Sequence, residues 1–388
     1  MSRRNGENYI YEGRAAGVAV NAGGKGCIID NVIRGNQWGG VDIRNGSCPL
    51  VAGNSIINGL SDGIVVGLSG RGSIESNFIS GNGGCGLWMM AAKNLYIHGN
   101  QISNSGHCGV MLLNKSASAM ESHLGQLLTN VSRHSFSHHD DNTAVQEPKT
   151  NWATLQYNNI FNNNGHGVVI EIKEEVHMLY NAVHGNHRDG ILMSQSAPVL
   201  LQSNSITSNC GNGVVTSTHD KVHLLGNGIY DNGHHGMVCR TSCIIEGNDV
   251  AGHIQASVLV EVGADVQLRE NRLCSSPSGV CAVVGEDSAV IMAVNNKIFI
   301  RGGRDFGGCG KLTTENNILI RPSSDASRRQ SKGEFNKTEF LTDPPPRPHI
   351  VPPPPSTVIP SHYVTVVTKV TLPSAESCEQ GSKFCIIL

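Results

Sequence analysis

The sequence is poor in the side chains that build an ordinary globular domain. Of its 388 residues, 15% are charged and 5% are aromatic, whereas a typical soluble domain has about 25% charged residues. The net charge of −2 gives no electrostatic basis for binding nucleic acid. An apolar run of about 18 residues is missing, which excludes a hydrophobic transmembrane helix. The N-terminus also lacks the apolar segment of a secretory signal.

The twelve cysteines have no metal-binding spacing. A Cys-x-x-Cys pair is absent, and Cys239 and Cys243 have no matching His pair at the spacing of zinc ligands. Without a secretory signal, reduced thiols are expected rather than disulfides. The sequence therefore predicts no metal site and no cofactor.

Glycine (46 residues) and asparagine are abundant, and they recur at a fixed period. The unit Asn-x-(Ile/Val/Leu) repeats in steps of 20 to 25 residues, most often 23, with one step of 58. In eight repeats a Gly follows nine residues after the Asn, and an apolar residue lies three residues before the Asn. Each repeat thus holds three short alternating segments separated by turns. The leading residues are Asn31, Asn54, Asn77, Asn100, Asn158, Asn181, Asn204, Asn227, Asn248, Asn271, Asn296 and Asn316.

This pattern predicts an all-β chain folded as a right-handed parallel β-helix, a pectin-lyase-like solenoid of about 12 coils of ~23 residues. A helical repeat would space apolar residues by three and four, and a leucine-rich repeat would need several Leu at fixed positions. Right-handedness follows from the usual hand of crossovers between parallel strands. The Asn column is predicted to be structural, since Asn tolerates left-handed backbone and its amide bonds neighbouring backbone.

The repeat divides the chain into five parts. Coils are predicted at 1–113 and 152–320, and a polar loop insertion separates them at 114–151. That loop carries His134, His138, His139, Asp140 and Asp141, which are interpreted as a solvated tract rather than a metal site. The C-terminal tail after the coils is predicted to be disordered. It consists of a Pro-rich flexible linker at 321–377, which is a spacer or a ligand for an SH3 or WW domain, and a prenylation tail at 378–388.

Catalytic side chains were sought directly before the repeat Gly. The residues there are Gly39, Asp62, Cys85, Cys108, His166, Asp189, Asn212 and His235. The two acids are not on neighbouring coils, so the row is interpreted as a structural or binding surface and the chain as a non-enzyme. The alternative is a carbohydrate-binding or polysaccharide-cleaving β-helix of the pectate-lyase type. That chemistry requires carboxylates, or a carboxylate with Arg or Lys, on adjacent coils.

The last four residues, Cys385, Ile386, Ile387 and Leu388, match the Cys-aliphatic-aliphatic-X prenylation motif. Leu at the last position favours geranylgeranylation of Cys385 by a geranylgeranyltransferase. Stable anchoring needs a second attachment, for which Cys378 is a candidate palmitoylation site. The motif predicts a cytoplasmic protein attached by lipid to the cytosolic face of a membrane.

Changing Cys385 to Ser is expected to move the protein from the membrane fraction to the soluble fraction, because the mutant thiol can no longer be prenylated. Cell fractionation with mass analysis of the C-terminal peptide measures both the location and the lipid. An unchanged membrane fraction in the mutant would show that the motif is not used.

The coils, the Pro-rich linker and the prenylation ending together resemble the C-terminal part of F-box proteins that carry β-helix repeats. The run "GVAVNAGGKGCIIDNVIRGNQWGGVDIRNG" and the iterated Asn coils carry this resemblance. It implies a substrate-recognition module of a Skp1–cullin–F-box ubiquitin ligase, with protein substrates bound along the β-helix. The chain departs from that family because it shows no F-box. The Skp1–cullin complex is thus an expected partner only of a longer form.

Overall fold

The computed structural model describes residues 8–67, 69–90, 92, 94–113, 153–172, 175–194, 198–217 and 222–321. The predicted insertion at 114–151 and nearly all of the predicted linker and tail lie outside these residues. The same holds for the lipidation residues Cys378 and Cys385, for the motif residues 386–388, and for the His and Asp residues of the insertion.

The described residues form three parallel sheets that run along one rod, and each coil contributes one strand to each sheet. The first sheet has thirteen strands, which begin one residue after the Asn column. They are β1 (Tyr9–Tyr11), β4 (Val32–Arg34), β7 (Ser55–Ile57), β10 (Phe78–Ser80), β13 (Gln101–Ser103), β16 (Asn159–Phe161), β19 (Ala182–His184), β22 (Ser205–Thr207), β25 (Gly228–Tyr230), β28 (Asp249–Ala251), β31 (Arg272–Cys274), β34 (Lys297–Phe299) and β37 (Ile318–Ile320).

The second sheet has twelve strands, and the first nine directly follow a Gly. They are β2 (Val18–Val20), β5 (Val41–Ile43), β8 (Ile64–Gly67), β11 (Leu87–Met90), β14 (Val110–Leu113), β17 (Val168–Glu171), β20 (Ile191–Ser194), β23 (Val214–Ser217), β26 (Met237–Cys239), β29 (Val258–Val260), β32 (Val283–Gly285) and β35 (Phe306–Gly308).

The third sheet also has twelve strands and completes each coil before the next Asn. They are β3 (Lys25–Ile29), β6 (Cys48–Ala52), β9 (Gly72–Glu75), β12 (Leu95–His98), β15 (Ala153–Gln156), β18 (Val176–Leu179), β21 (Val199–Gln202), β24 (Val222–Leu225), β27 (Cys243–Glu246), β30 (Asp265–Arg269), β33 (Val290–Val294) and β36 (Lys311–Glu315).

The parallel β-helix predicted from the repeat is confirmed. Alternating side chains point into the rod, where Ile, Val, Leu and Met residues of successive coils stack into one continuous core. Full burial of one such side chain contributes roughly 1.5–3 kcal/mol. The repeat Gly is required by the close approach of coils, since a Cβ on Gly63 would lie 2.5 Å from the carbonyl oxygen of Gly86.

The Asn column forms a buried hydrogen-bond ladder along the rod. In each coil the backbone N–H and the side-chain Nδ2 of the Asn donate to Oδ1 of the Asn in the next coil, at 2.9 and 3.0 Å from Asn54 to Asn77. Nδ2 of Asn54 also donates to the carbonyl oxygen of Ile28 at 2.8 Å. Asn100 and Asn158, 58 residues apart in sequence, stack as neighbours in the same way. The ladder therefore continues past the position of the insertion.

Two details differ from the sequence-based interpretation of this column. The left-handed residue is the one before each ladder Asn, such as Asp30 (φ 53°) or Tyr157 (φ 55°), and the Asn itself directly precedes the next strand. In the final coil the ladder member is Asn317, which receives both hydrogen bonds from Asn296. The predicted member, Asn316, has the left-handed backbone (φ 51°) instead.

A second buried ladder lies at the turn after the first sheet, where Asn163, Asn186, Asn209 and Asn232 stack. His253 takes the Asn position in the next coil. Its Nδ1 accepts the backbone N–H of Asn232 at 3.2 Å, and its Nε2 lies 3.2 Å from the carbonyl oxygen of Ile229. The neutral imidazole thus reproduces the acceptor and the donor of an Asn amide. Burial lowers the pKa of His253 to about 4, although its backbone hydrogen bonds act in the opposite direction.

We expect the protein to lose stability as the pH falls below about 6.5, because His253 must stay neutral in the fold but binds a proton when unfolded. The loss grows down to pH about 4 and reaches about 3 kcal/mol, given 1.36 kcal/mol for each unit of pKa shift. Urea unfolding at pH 7 and pH 4.5 measures it. His253→Asn restores the ladder amide and should remove the loss of stability that comes from protonation of His253. His187→Asn changes an exposed position and should leave that loss unchanged.

Candidate functional site

The residue directly after each ladder Asn points to the outside of the first sheet. In three consecutive coils these residues are Asp249, Arg272 and Lys297, at the starts of β28, β31 and β34. The strand register places Asp249 beside Arg272, and Arg272 beside Lys297. Because neighbouring strands lie about 4.8 Å apart, a carboxylate and two cations share one strip of the surface. Together with Tyr230 from the preceding coil, these residues are called the Asp249 site below.

Tyr230 is held over the start of its own strand. A Cβ on Gly228 would lie 2.7 Å from Cε2 of Tyr230, so the ring occupies the space that a side chain at 228 would fill. From this position the Tyr230 hydroxyl donates a hydrogen bond to the Asp249 carboxylate. The glycine thus allows an aromatic hydroxyl to reach the carboxylate of the next coil.

Asp249 is only 9% exposed, and its Oδ2 has no hydrogen-bond partner. Nη1 of Arg272 lies 3.8 Å from this oxygen, too far for a hydrogen bond. The Arg272 guanidinium instead lies over the Phe299 ring, 5.5 Å from its centroid. Burial raises the pKa of Asp249, and the Arg272 charge and the Tyr230 hydrogen bond offset this only in part. A carboxyl with a raised pKa and one oxygen free of hydrogen bonds is suited to exchange protons with a ligand.

The row before the repeat Gly forms a third set of contacts between coils. Asp189 Oδ1 accepts the backbone N–H and the Nδ2 of Asn212 at 2.6 and 2.9 Å, and Asn212 Oδ1 accepts the backbone N–H of His235 at 3.1 Å. The other Asp189 oxygen lies 3.3 Å from Nδ1 of His166. Burial raises the pKa of Asp189, but the contacts with His166 and Asn212 outweigh it and lower the pKa overall.

The Asp249 site was not predicted, although its residues stand in the repeat motifs themselves. The units "NDV", "NRL" and "NKI" carry Asp249, Arg272 and Lys297 at their middle positions. The search for adjacent charges compared only the residue before the repeat Gly. Comparing the position after the Asn would have found a carboxylate and two cations in three successive coils.

The described residues lack two further features. Within them, no group of three or more His, Cys, Asp or Glu side chains is arranged to hold a metal ion. Nor does this part of the chain contain a helix that is long and apolar enough to cross a membrane.

Comparison with protein families matches the model of the right-handed beta helix region to residues 5–124 and 121–273, more than half of the chain. The chain belongs to this right-handed β-helix family, and the predicted hand is confirmed. A comparison with curated proteins finds no match. The resemblance to F-box proteins therefore stays a prediction.

Solved structures with a similar fold include three β-helix proteins. The mannuronan C-5 epimerase A-module of Azotobacter vinelandii is 14% identical, covers 82% of this chain and 92% of its own, and has a TM-score of 0.39. A periplasmic alginate epimerase is 15% identical, with coverage of 76% and 70% and a TM-score of 0.40. A pectate lyase is 10% identical, with coverage of 71% and 70% and a TM-score of 0.33. At these identities the likeness shows the fold alone.

The prediction of a non-enzyme is corrected by the structure, because the premise of that prediction fails. That prediction depended on finding no carboxylate beside a cation on adjacent coils. Asp249 and Arg272 are such a pair.

Proposed function

We propose that the chain is an enzyme that acts on an anionic, uronate-containing polysaccharide at the Asp249 site. The observation that carries the proposal is the buried carboxyl of Asp249, which has a raised pKa and one oxygen without a hydrogen bond. Arg272 lies beside it on the next coil, and Lys297 follows on the coil after that. An open strip along a rod suits an extended polymer, since successive sugar units lie against successive coils. The proposal rests on this geometry and not on the names of the matched structures.

The site favours removal of the proton next to a sugar carboxylate. As Asp249 takes this proton, the C–H electron pair moves onto the sugar carboxylate as an enediolate. Arg272 and Lys297 stabilise the added negative charge where it develops. Tyr230 returns a proton to the carbon from its hydroxyl and is reprotonated by Asp249 through their hydrogen bond. If Tyr230 instead protonates the oxygen on the neighbouring carbon, the C–O bond breaks as the enediolate electron pair forms a C=C bond, and the chain is cleaved.

The test is incubation of the purified chain with a uronate polymer or a neutral glucan in deuterium oxide. We expect deuterium in the uronate sugars, or ultraviolet absorbance from unsaturated chain ends, and neither product from the glucan. Arg272→Gln should abolish both signals. Arg240→Gln is the matched control, since Arg240 pairs with Glu261 at 3.0 Å on an adjacent coil outside the site. The absence of both products from all uronate polymers would overturn the proposal.

A further inference from the structure

Two cysteines pack together outside the main core, in a small buried cluster with Val169. Cys85 and Cys108 occupy equivalent turn positions in adjacent coils, two residues before the in-register residues Leu87 and Val110. Strands about 4.8 Å apart bring equivalent Cα atoms within the 4.4–6.8 Å that a disulfide spans. A disulfide here would need no large backbone movement.

The two thiols have different electrostatic surroundings. Asp62 lies on the Cys85 side, where its Oδ1 accepts the Cys85 backbone N–H at 2.6 Å. On the Cys108 side are the backbone N–H of His166 and the charges of His166 and Arg188. The pKa of Cys108 is lowered to about 6, mainly by the hydrogen bond from Cys85 and to a smaller extent by these groups. Burial alone would raise this pKa. The same hydrogen bond, burial and the Asp62 charge raise the pKa of Cys85.

His166 is in turn held by Asp189, with 3.3 Å between Nδ1 and Oδ2. Cys85 and Cys108 are buried, 5% and 7% exposed, but they pack in a small cluster outside the main core. A second pair, Cys239 and Cys243, is 1% and 2% exposed and packs inside the main core. The described residues thus offer one thiol pair outside the main core and one pair within it for comparison.

We propose that Cys85 and Cys108 are a redox-active dithiol that exchanges with small-molecule disulfides. The Cys108 thiolate attacks one sulfur of an aliphatic disulfide such as oxidised glutathione, which forms a mixed disulfide and releases one thiolate. Cys85 then loses its proton to solvent and its sulfur attacks the Cys108 sulfur. The second thiolate leaves, and the Cys85–Cys108 disulfide remains. Two protein thiols are oxidised and one small disulfide is reduced to two thiols.

The experiment treats the folded full chain with oxidised glutathione and maps disulfides by mass spectrometry under non-reducing conditions. We expect a Cys85–Cys108 link and no oxidation of Cys239 or Cys243. Cys85→Ser should instead accumulate glutathione on Cys108, because no resolving thiol remains. His166→Gln should move the midpoint of Cys108 alkylation to higher pH.

The proposal is overturned if Cys85 and Cys108 stay reduced while exposed thiols such as Cys27 and Cys210 are modified. It is also overturned if Cys108 and Cys243 react at the same rate. Because the dithiol does not involve the Asp249 site, its failure leaves the proposed polysaccharide activity untouched.

Discussion

Asp249→Asn is expected to lower turnover of a uronate polymer by about a hundredfold to ten-thousandfold, the usual contribution of a general acid–base group. The Asn side chain has the same shape and still accepts the Tyr230 hydrogen bond, but it cannot take up a proton. Substrate binding through Arg272 and Lys297 should persist, so the effect should fall on kcat more than on KM. Steady-state kinetics on the polymer measure both constants.

The pH dependence gives an independent check. Asp249 must be deprotonated to act as a base, so kcat should rise with pH through its pKa, which lies above that of an ordinary Asp. A raised pKa also means that the folded protein loses stability as the pH rises through it, relative to a chain without this carboxyl. Asp249→Asn should therefore unfold at a temperature no lower than the parent at neutral pH. Full activity of this variant, beside an equally active Asp265→Asn control, would show that Asp249 is not the base.

Asn204→Ala is expected to cost about 2–6 kcal/mol of stability, because it leaves two buried backbone groups unpaired at roughly 1–3 kcal/mol each. Oδ1 of Asn204 accepts the backbone N–H of Asn181 at 2.9 Å, and its Nδ2 donates to the carbonyl oxygen of Met178 at 2.8 Å. Ala offers neither group. Both backbone groups are sealed from water inside the rod, so solvent does not replace the lost amide.

The matched control is Asn164→Ala, which makes the same change at an exposed position. Denaturant unfolding compares the two variants, and hydrogen exchange at the Asn181 amide reports the local loss. In a solenoid each coil contacts mainly its neighbours, so faster exchange should be greatest in the coils on either side of Asn204. Equal stability of the two variants would mean that the ladder is not a major source of stability.

Much of the fold follows from the sequence because the same constraint repeats in every coil. An Asn at one fixed position and an inward apolar residue two positions later recur often enough to define strands, turns and stacking direction. The left-handed position was misassigned because Asp, Ser, Tyr and Gly all occupy it, so no single residue type marks it. The second ladder was missed for a similar reason, since His253 replaces Asn in one of its coils.

The site was harder to predict because its chemistry occurs once and the repeat occurs twelve times. Asp249 becomes unusual only through what surrounds it: burial, the distance to Arg272, and a Tyr230 ring that depends on Gly228. The burial and the distance to Arg272 are not properties of one coil. Periodicity finds what the coils share, whereas the site depends on how three of them differ.

The uniform register of the Asn ladder also bears on how such a chain changes over evolution. Each coil presents the same hydrogen-bond groups to both neighbours, so a whole coil gained or lost between Asn31 and Asn204 would still join its new neighbours correctly. The number of coils in the rod can therefore change without loss of the ladder. The order of the coils that carry Tyr230, Asp249, Arg272 and Lys297 is not, because one coil inserted among them would separate the carboxyl from its cations by a further strand spacing.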